Sequence, residues 1–144
     1  HLELKHVPPL VIAFGDEAGQ TIEQVAAVRK RREKQERFYE SLFDEIDALT
    51  LAGSEALLAG NYAALGELMN ICHGLLNALQ VSTPKLEAMV ALARHSGASG
   101  AKLTGAGGGG SIVALCPGNH EAVTRAMHEA GFRTLALQTT RKNH

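Results

Sequence analysis

Apolar positions along the chain change period several times, and each change predicts an element. Leu10, Val11, Ile12, Ala13 and Phe14 form a continuous apolar run short enough for a strand. Residues 2–6 extend that strand or pair beside it, because Pro8 and Pro9 are tolerated at a strand start, where no ladder N–H is required. A polar turn follows, Gly15-Asp16-Glu17-Ala18-Gly19-Gln20, and Thr21 is placed to cap a helix. Ile22, Val25 and Val28 then recur at helical spacing before a densely charged stretch from Arg29 to Arg37. A second stripe through Phe38, Leu42, Ile46, Leu49 and, more loosely, Leu57 defines one helix face.

Gly60-Asn61 reads as a helix stop followed by an N-cap. A third helix carries Leu65, Leu68, Met69, Cys72, Leu75, Leu76 and Leu79. Thr83-Pro84 opens a fourth with a hydroxyl cap and a proline at the first helical position; Leu86, Met89, Val90 and Ala93 supply its buried face. Beyond Gly97 the period shortens. Ala101 to Thr104 is a short strand, a glycine-rich connection follows, and Ser111 to Cys116 is an apolar strand. Pro117-Gly118 turns the chain, Asn119 caps a helix to about Ala130, Gly131 ends it, and Phe132 to Thr140 is a last strand. About four strands and five helices with a tight β–β connection predict an α+β fold, an antiparallel sheet backed by helices.

Composition narrows the function without supplying one. The 144 residues suit a single domain, 1–144, and 45% hydrophobic with 20% charged residues excludes wholesale disorder. A formal charge of −1 argues against a domain built to bind nucleic acid through a basic surface. No apolar run approaches the ~20 residues of a bilayer span, and none has the layout of a signal peptide. Cys72 and Cys116 lie far apart without metal-ligand spacing and fit a reducing compartment, so the expected location is cytoplasmic. The chain begins at His1 and enters an apolar segment almost at once, which reads as a strand cut from a larger protein.

The chemistry concentrates in the glycines. Seven of the fifteen fall between Gly97 and Gly110. Each glycine loses more backbone entropy on ordering than any other residue, so a run such as Gly107-Gly108-Gly109-Gly110 needs a use. That use is close backbone approach: without Cβ atoms, consecutive N–H groups can converge on phosphate oxygens. No Gly-Lys-Ser/Thr ending follows, which excludes a Walker loop, and the run precedes a strand rather than a helix, which is the wrong context for a dinucleotide fingerprint. A flexible hairpin connection is the plain alternative. Lys102, Thr104 and Ser111 flank the run and add one cation and two hydroxyls.

The string Gly100-Ala101-Lys102-Leu103-Thr104-Gly105-Ala106-Gly107-Gly108-Gly109-Gly110-Ser111 closely resembles the third sequence motif of the GHMP kinases, in the form found in mevalonate kinases. Leu65-Gly66-Glu67-Leu68-Met69-Asn70, then His73, Leu75-Leu76, Leu79 and Val81-Ser82-Thr83-Pro84, is similar to the helix pair that precedes that motif, and Phe38-Tyr39-Glu40 through Ile46 to the family's long connecting helix. The resemblance runs from about Leu10 to Thr140 and covers only the C-terminal, ferredoxin-like domain of such an enzyme. It implies transfer of the γ-phosphoryl of ATP to a hydroxyl of a small metabolite, with Mg²⁺ neutralising the phosphates. The N-terminal domain, absent from this chain, would hold most of the nucleotide and the catalytic Asp and Lys, so the chain alone is expected to be inactive.

By the same resemblance the segment Lys102 to Ser111 lines the cleft between the domains. The N–H groups of Ala106, Gly107, Gly108 and Gly109 and the Thr104 hydroxyl are the expected contacts, with Gly105, Gly110 and Ser111 completing the segment. Ser111 stands where mevalonate kinases often carry Cys. Lys102 is either a phosphate contact or a solvated strand lysine. Thr21 aligns with a threonine that the family uses beside the acceptor, and on spacing alone it is also a plain N-cap. The turn before it departs from the family's Asp-Ser/Thr-Gly pattern, which bears on the acceptor. His73 falls on a helix whose counterpart reaches toward the cleft, yet a histidine beside Cys72 and Leu76 also fits a packed, hydrogen-bonded position.

The remaining candidates are weaker. No histidine pair has convincing metal-ligand spacing, so no metal site is assigned to this chain. Asp44 and Glu45 lie on the exposed side of a helix. Arg29 to Arg37 holds six positive charges in nine residues, but its interspersed glutamates and lack of aromatics favour a solvated helix end over an RNA or membrane contact. The expected function is therefore the C-terminal domain of a mevalonate kinase acting on the 5-hydroxyl of mevalonate in isoprenoid biosynthesis. The alternatives are a sibling acting on phosphomevalonate, a sugar or an amino alcohol, and a non-catalytic anion-binding or regulatory domain. Expected partners are the alcohol substrate, ATP and the N-terminal domain, with no nucleic acid or membrane; apolar surface facing the cleft leaves a homodimer open.

Overall fold

The computed structural model describes residues 7–15, 21–104 and 110–137, with the backbone alone for residues 21 and 22. The strands are β1 (Leu10–Phe14), β2 (Gly100–Thr104), β3 (Ser111–Leu115) and β4 (Arg133–Leu137). The helices are α1 (Thr21–Lys34), α2 (Glu36–Leu58), α3 (Tyr62–Ala78), α4 (Pro84–His95) and α5 (His120–Glu129). All strand pairs are antiparallel, in the order β2-β3-β1-β4, so the α+β reading and its helix-backed sheet hold. Residues 2–6, 16–20 and 138–140 of the sequence reading lie outside the described residues.

Alternation along the strands builds the core. Val11 and Ala13, Ala101 and Leu103, and Ile112 and Ala114 are buried with Leu86, Met89, Val90 and Ala93 of α4 and Val123 and Met127 of α5. The α4 set is the one its spacing predicts, and each large side chain among these contributes about 1.5–3 kcal/mol by leaving water. The caps of α3 and α4 also form as read: Asn61 Oδ1 accepts from Ala64 N at 3.2 Å, and Thr83 Oγ1 from Leu86 N at 3.2 Å. No helix among the described residues is long and apolar enough to cross a membrane.

Three helix readings need correction. Phe38 heads the apolar stripe predicted for α2, yet it is 61% exposed and lies under the Arg37 guanidinium, while Tyr39 beside it is buried. A break at Gln35 separates α1 from α2, and Arg31 on the near side donates from Nε to the Tyr39 hydroxyl at 3.0 Å, which selects Tyr39 for the inside. Arg31 also donates to the Leu79 carbonyl oxygen at 2.8 Å, so one residue of the charged run is a tie between three helices rather than a solvated charge. Asn119 does not cap α5 with its side chain; its Nδ2 donates instead to the Gly97 carbonyl oxygen at 3.1 Å.

Helix α3 lies along the free edge of β2, and two glycines permit the approach. A Cβ on Gly66 would meet the Ser99 carbonyl oxygen at 2.6 Å, and one on Gly100 would meet the Gly66 Cα at 2.6 Å. Both positions are closed to side chains. This contact places α3 close enough to hydrogen-bond the strand that leads into the glycine segment.

Candidate functional site

The end of the sheet where β1 and β2 stop and β3 begins gathers the described part of the candidate site. Thr104 and Ser111 are cross-strand partners, and their hydroxyls share a hydrogen bond of 2.8 Å. Ser111 is buried, so each hydroxyl keeps the other satisfied in a place with little water. Phe14 is the partner of Ser111 on the other side, which brings the end of β1 against the same strand. One residue further, Gly15 N donates to the Gly110 carbonyl oxygen at 2.8 Å. A Cβ on Gly15 would stand 2.8 Å from that oxygen, so this junction requires glycine, and Gly110 has a positive φ of 29°.

A cation that the sequence reading missed completes the junction. Lys85, in the first turn of α4, donates from Nζ to the Gly15 carbonyl oxygen at 2.8 Å. Its position after Thr83-Pro84 reveals a helix start but no partner, because the contact joins residues seventy apart. Lys102 is brought to β2 as expected, but its ammonium turns back on the chain and donates to the Leu103 carbonyl oxygen at 2.8 Å. Thr21 begins α1, with its side chain outside the described residues. Gly105, Ala106, Gly107, Gly108 and Gly109 also lie outside them.

His73 sits on α3, 3% exposed, and bridges β2 to α4. β2 is an edge strand, and its outward N–H groups recur every second residue. Residues three apart on α3 meet them: Asn70 Oδ1 accepts from Ala101 N at 3.0 Å and His73 Nδ1 accepts from Leu103 N at 3.1 Å. On the α4 side, Arg94 Nη2 donates to the Ala101 carbonyl oxygen at 3.0 Å. Since Nδ1 of His73 is an acceptor, the ring carries its proton on Nε2 and donates it to Glu87 Oε1, 3.0 Å away. Of the two readings of His73, the described geometry is that of the packed, bonded residue.

Burial works against the Glu87 carboxylate, but the neighbouring Ser82 hydroxyl and the His73 ring more than offset it, with Arg94 adding its charge. The Glu87 pKa is therefore held below its ordinary value. Among the described residues no group of three His, Cys, Asp or Glu side chains could hold a metal ion. Beside the site, on the β4 side, opens a concavity of about 530 Å³ walled by Phe14, His128, Gly131, Phe132, Arg133 and Thr134. Asp44 and Glu45 are exposed on α2, as read.

Chemically, the described junction is a frame rather than a set of free donors: its hydroxyls bond each other, the Gly15 N–H is given to Gly110 and the Lys85 ammonium to Gly15, which fixes where the strand ends stand. Residues 54–133 match the family model described as GHMP kinases C terminal. A mevalonate kinase of Pyrococcus abyssi is 43% identical over 138 residues, covering 90% of this chain and 41% of the relative. Among solved structures, L. major mevalonate kinase in complex with R-mevalonate superposes with a TM-score of 0.83 at 29% identity, over 95% of this chain and 44% of that one. Methanococcus jannaschii mevalonate kinase does so with a TM-score of 0.74 at 32% identity, over 96% and 41%. This chain thus spans about two fifths of the length of the relatives it matches.

Proposed function

Because the chain belongs to the family of GHMP kinase C-terminal domains, we propose that it forms the C-terminal domain of an ATP-dependent mevalonate kinase. In this reading a longer protein carries an N-terminal domain that holds most of the nucleotide, the Mg²⁺ and the groups that activate the acceptor. The acceptor is mevalonate, and the reaction takes place in the cytoplasm. The 5-hydroxyl oxygen forms a bond to the γ-phosphorus, the bond from that phosphorus to the ADP oxygen breaks, and the hydroxyl proton passes to a base outside this chain. What this chain contributes is position. Thr104, Gly110 and Ser111 set one wall of the cleft, and Gly15 leads into the segment that ends at Thr21.

The observation that carries the reading is the joined sheet end. The Thr104–Ser111 hydroxyl pair and the Gly15–Gly110 bond stand at the two sides of the glycine segment whose sequence matches the family motif. Likeness to mevalonate kinases at 43% and 32% identity supports mevalonate over the sibling acceptors.

The test is ADP release by the full-length protein with Mg-ATP and, in parallel, mevalonate, phosphomevalonate, galactose or homoserine, with this 144-residue chain as control. Turnover with mevalonate alone and none from the isolated chain is expected. Turnover with another acceptor would keep the kinase and reject the substrate. A folded full-length protein that neither turns over nor binds nucleotide would reject both.

A further inference from the structure

Two segments that the proposed reaction must bring together, in sequence 16–20 after Gly15 and 105–109 before Gly110, are bounded by glycines that are bonded to each other. Gly15 N donates to the Gly110 carbonyl oxygen at 2.8 Å, and the space between them has no room for a Cβ. The remaining polar group of Gly15, its carbonyl oxygen, is held from the helix layer by Lys85 Nζ at 2.8 Å. Gly15 is buried, so its carbonyl needs such a donor. Among the described residues no carboxylate lies within 4.0 Å of the Lys85 ammonium, which donates to the Gly15 carbonyl oxygen. An exposed lysine is normally solvated and loses side-chain entropy on being held; here it is held on a backbone oxygen at the junction of two strands.

We propose that Lys85 is a positioning residue for the transfer reaction: by fixing the Gly15 carbonyl it anchors the end of β1, which is already paired with β3, to the first turn of α4, and so holds the chain where it departs toward the acceptor segment. The inference rests on the kinase reading above. Its consequence is specific. A group that aligns two bound reactants affects the chemical step, because a displacement of about 1 Å can cost on the order of 10²-fold in rate without loss of binding. A group that touches a substrate would change its KM instead.

The experiment compares the full-length wild-type protein with Lys85→Met and Lys85→Arg. Lys85→Met removes the donor and is expected to lower kcat about tenfold or more, with KM for ATP and mevalonate unchanged within about threefold. Lys85→Arg keeps a cationic donor and should recover most of the loss. A KM increase at constant kcat would overturn the proposal in favour of a substrate contact, and wild-type kinetics for Lys85→Met would overturn it outright. Hydrogen exchange at the Gly15 amide separates this from the kinase reading. Faster exchange in Lys85→Met with the rest of the sheet unchanged is expected; unchanged exchange shows that Lys85 does not hold the junction, whatever the enzyme does. Absence of turnover in the wild type would strike the kinase reading alone.

Discussion

His73 accepts the backbone N–H of Leu103 on Nδ1 at 3.1 Å, so a helix side chain substitutes for the neighbouring strand that edge strand β2 lacks on that side. The same ring donates from Nε2 to Glu87, tying α3, β2 and α4 at one point two residues before the glycine motif continues. Replacing His73 by Ala leaves a buried N–H without an acceptor and opens a cavity. The expected loss is about 2–3 kcal/mol, read from the midpoint of urea unfolding at constant m-value. A midpoint equal to wild type would show that the edge finds another partner without cost.

Glu87 should make stability depend on acid. Its folded-state pKa is depressed, so the carboxylate's contribution is present above the ordinary value of 4.5 and is lost as pH falls through the lower folded value. The difference in melting temperature between wild type and Glu87→Gln should therefore be full at pH 6 and shrink below pH 4.5. A difference that grows on acidification would reverse the sign and contradict the assignment.

Two glycines eight residues apart on α3 should respond in opposite directions. Gly66→Ala puts a Cβ 2.6 Å from the Ser99 carbonyl oxygen, a backbone atom that cannot step aside, and should cost about 3 kcal/mol. Gly74→Ala meets nothing within 4 Å and should add about 0.5–1 kcal/mol by stiffening the unfolded chain. Thermal melts of both variants decide the matter; similar shifts would mean that α3 does not approach β2 as closely as described.

The two thiols should differ in reactivity. Cys116 is fully buried and its pKa is pushed up to about 11 by burial, so at pH 8 roughly one thiol in a thousand is ionised, before access is considered. Cys72 is half-buried. Titration with an aromatic disulfide should give one fast thiol in the native chain and two in denaturant. Two fast thiols under native conditions would contradict the packing around the end of β3.

Legibility from sequence followed the range of the interactions. The buried face of α4 was readable at Leu86, Met89, Val90 and Ala93 because helical spacing and a Thr-Pro start are local, and the caps at Asn61 and Thr83 were readable for the same reason. The glycine motif named Thr104 and Ser111, and their hydroxyls meet across the β2–β3 connection because the motif spans a local hairpin. What escaped depends on partners distant in sequence. Tyr39 displaces Phe38 from the inside because Arg31 reaches it across a helix break, and Asn119 gives up its capping role to Gly97. Asn70 and His73 are needed where they are because β2 is an edge strand, which only the strand order decides. Lys85 carries no local sign of its bond to Gly15.

The most direct test of the account is the rate of ADP release from Mg-ATP and mevalonate by the full-length protein, wild type against Thr104→Val. That substitution keeps the side-chain shape and removes the hydroxyl that pairs with Ser111. The account predicts turnover by the wild type and a fall of about tenfold or more in kcat/KM for the variant, with its melting temperature lowered by no more than a few degrees. Equal rates for the two proteins would contradict the placement of the site at this end of the sheet.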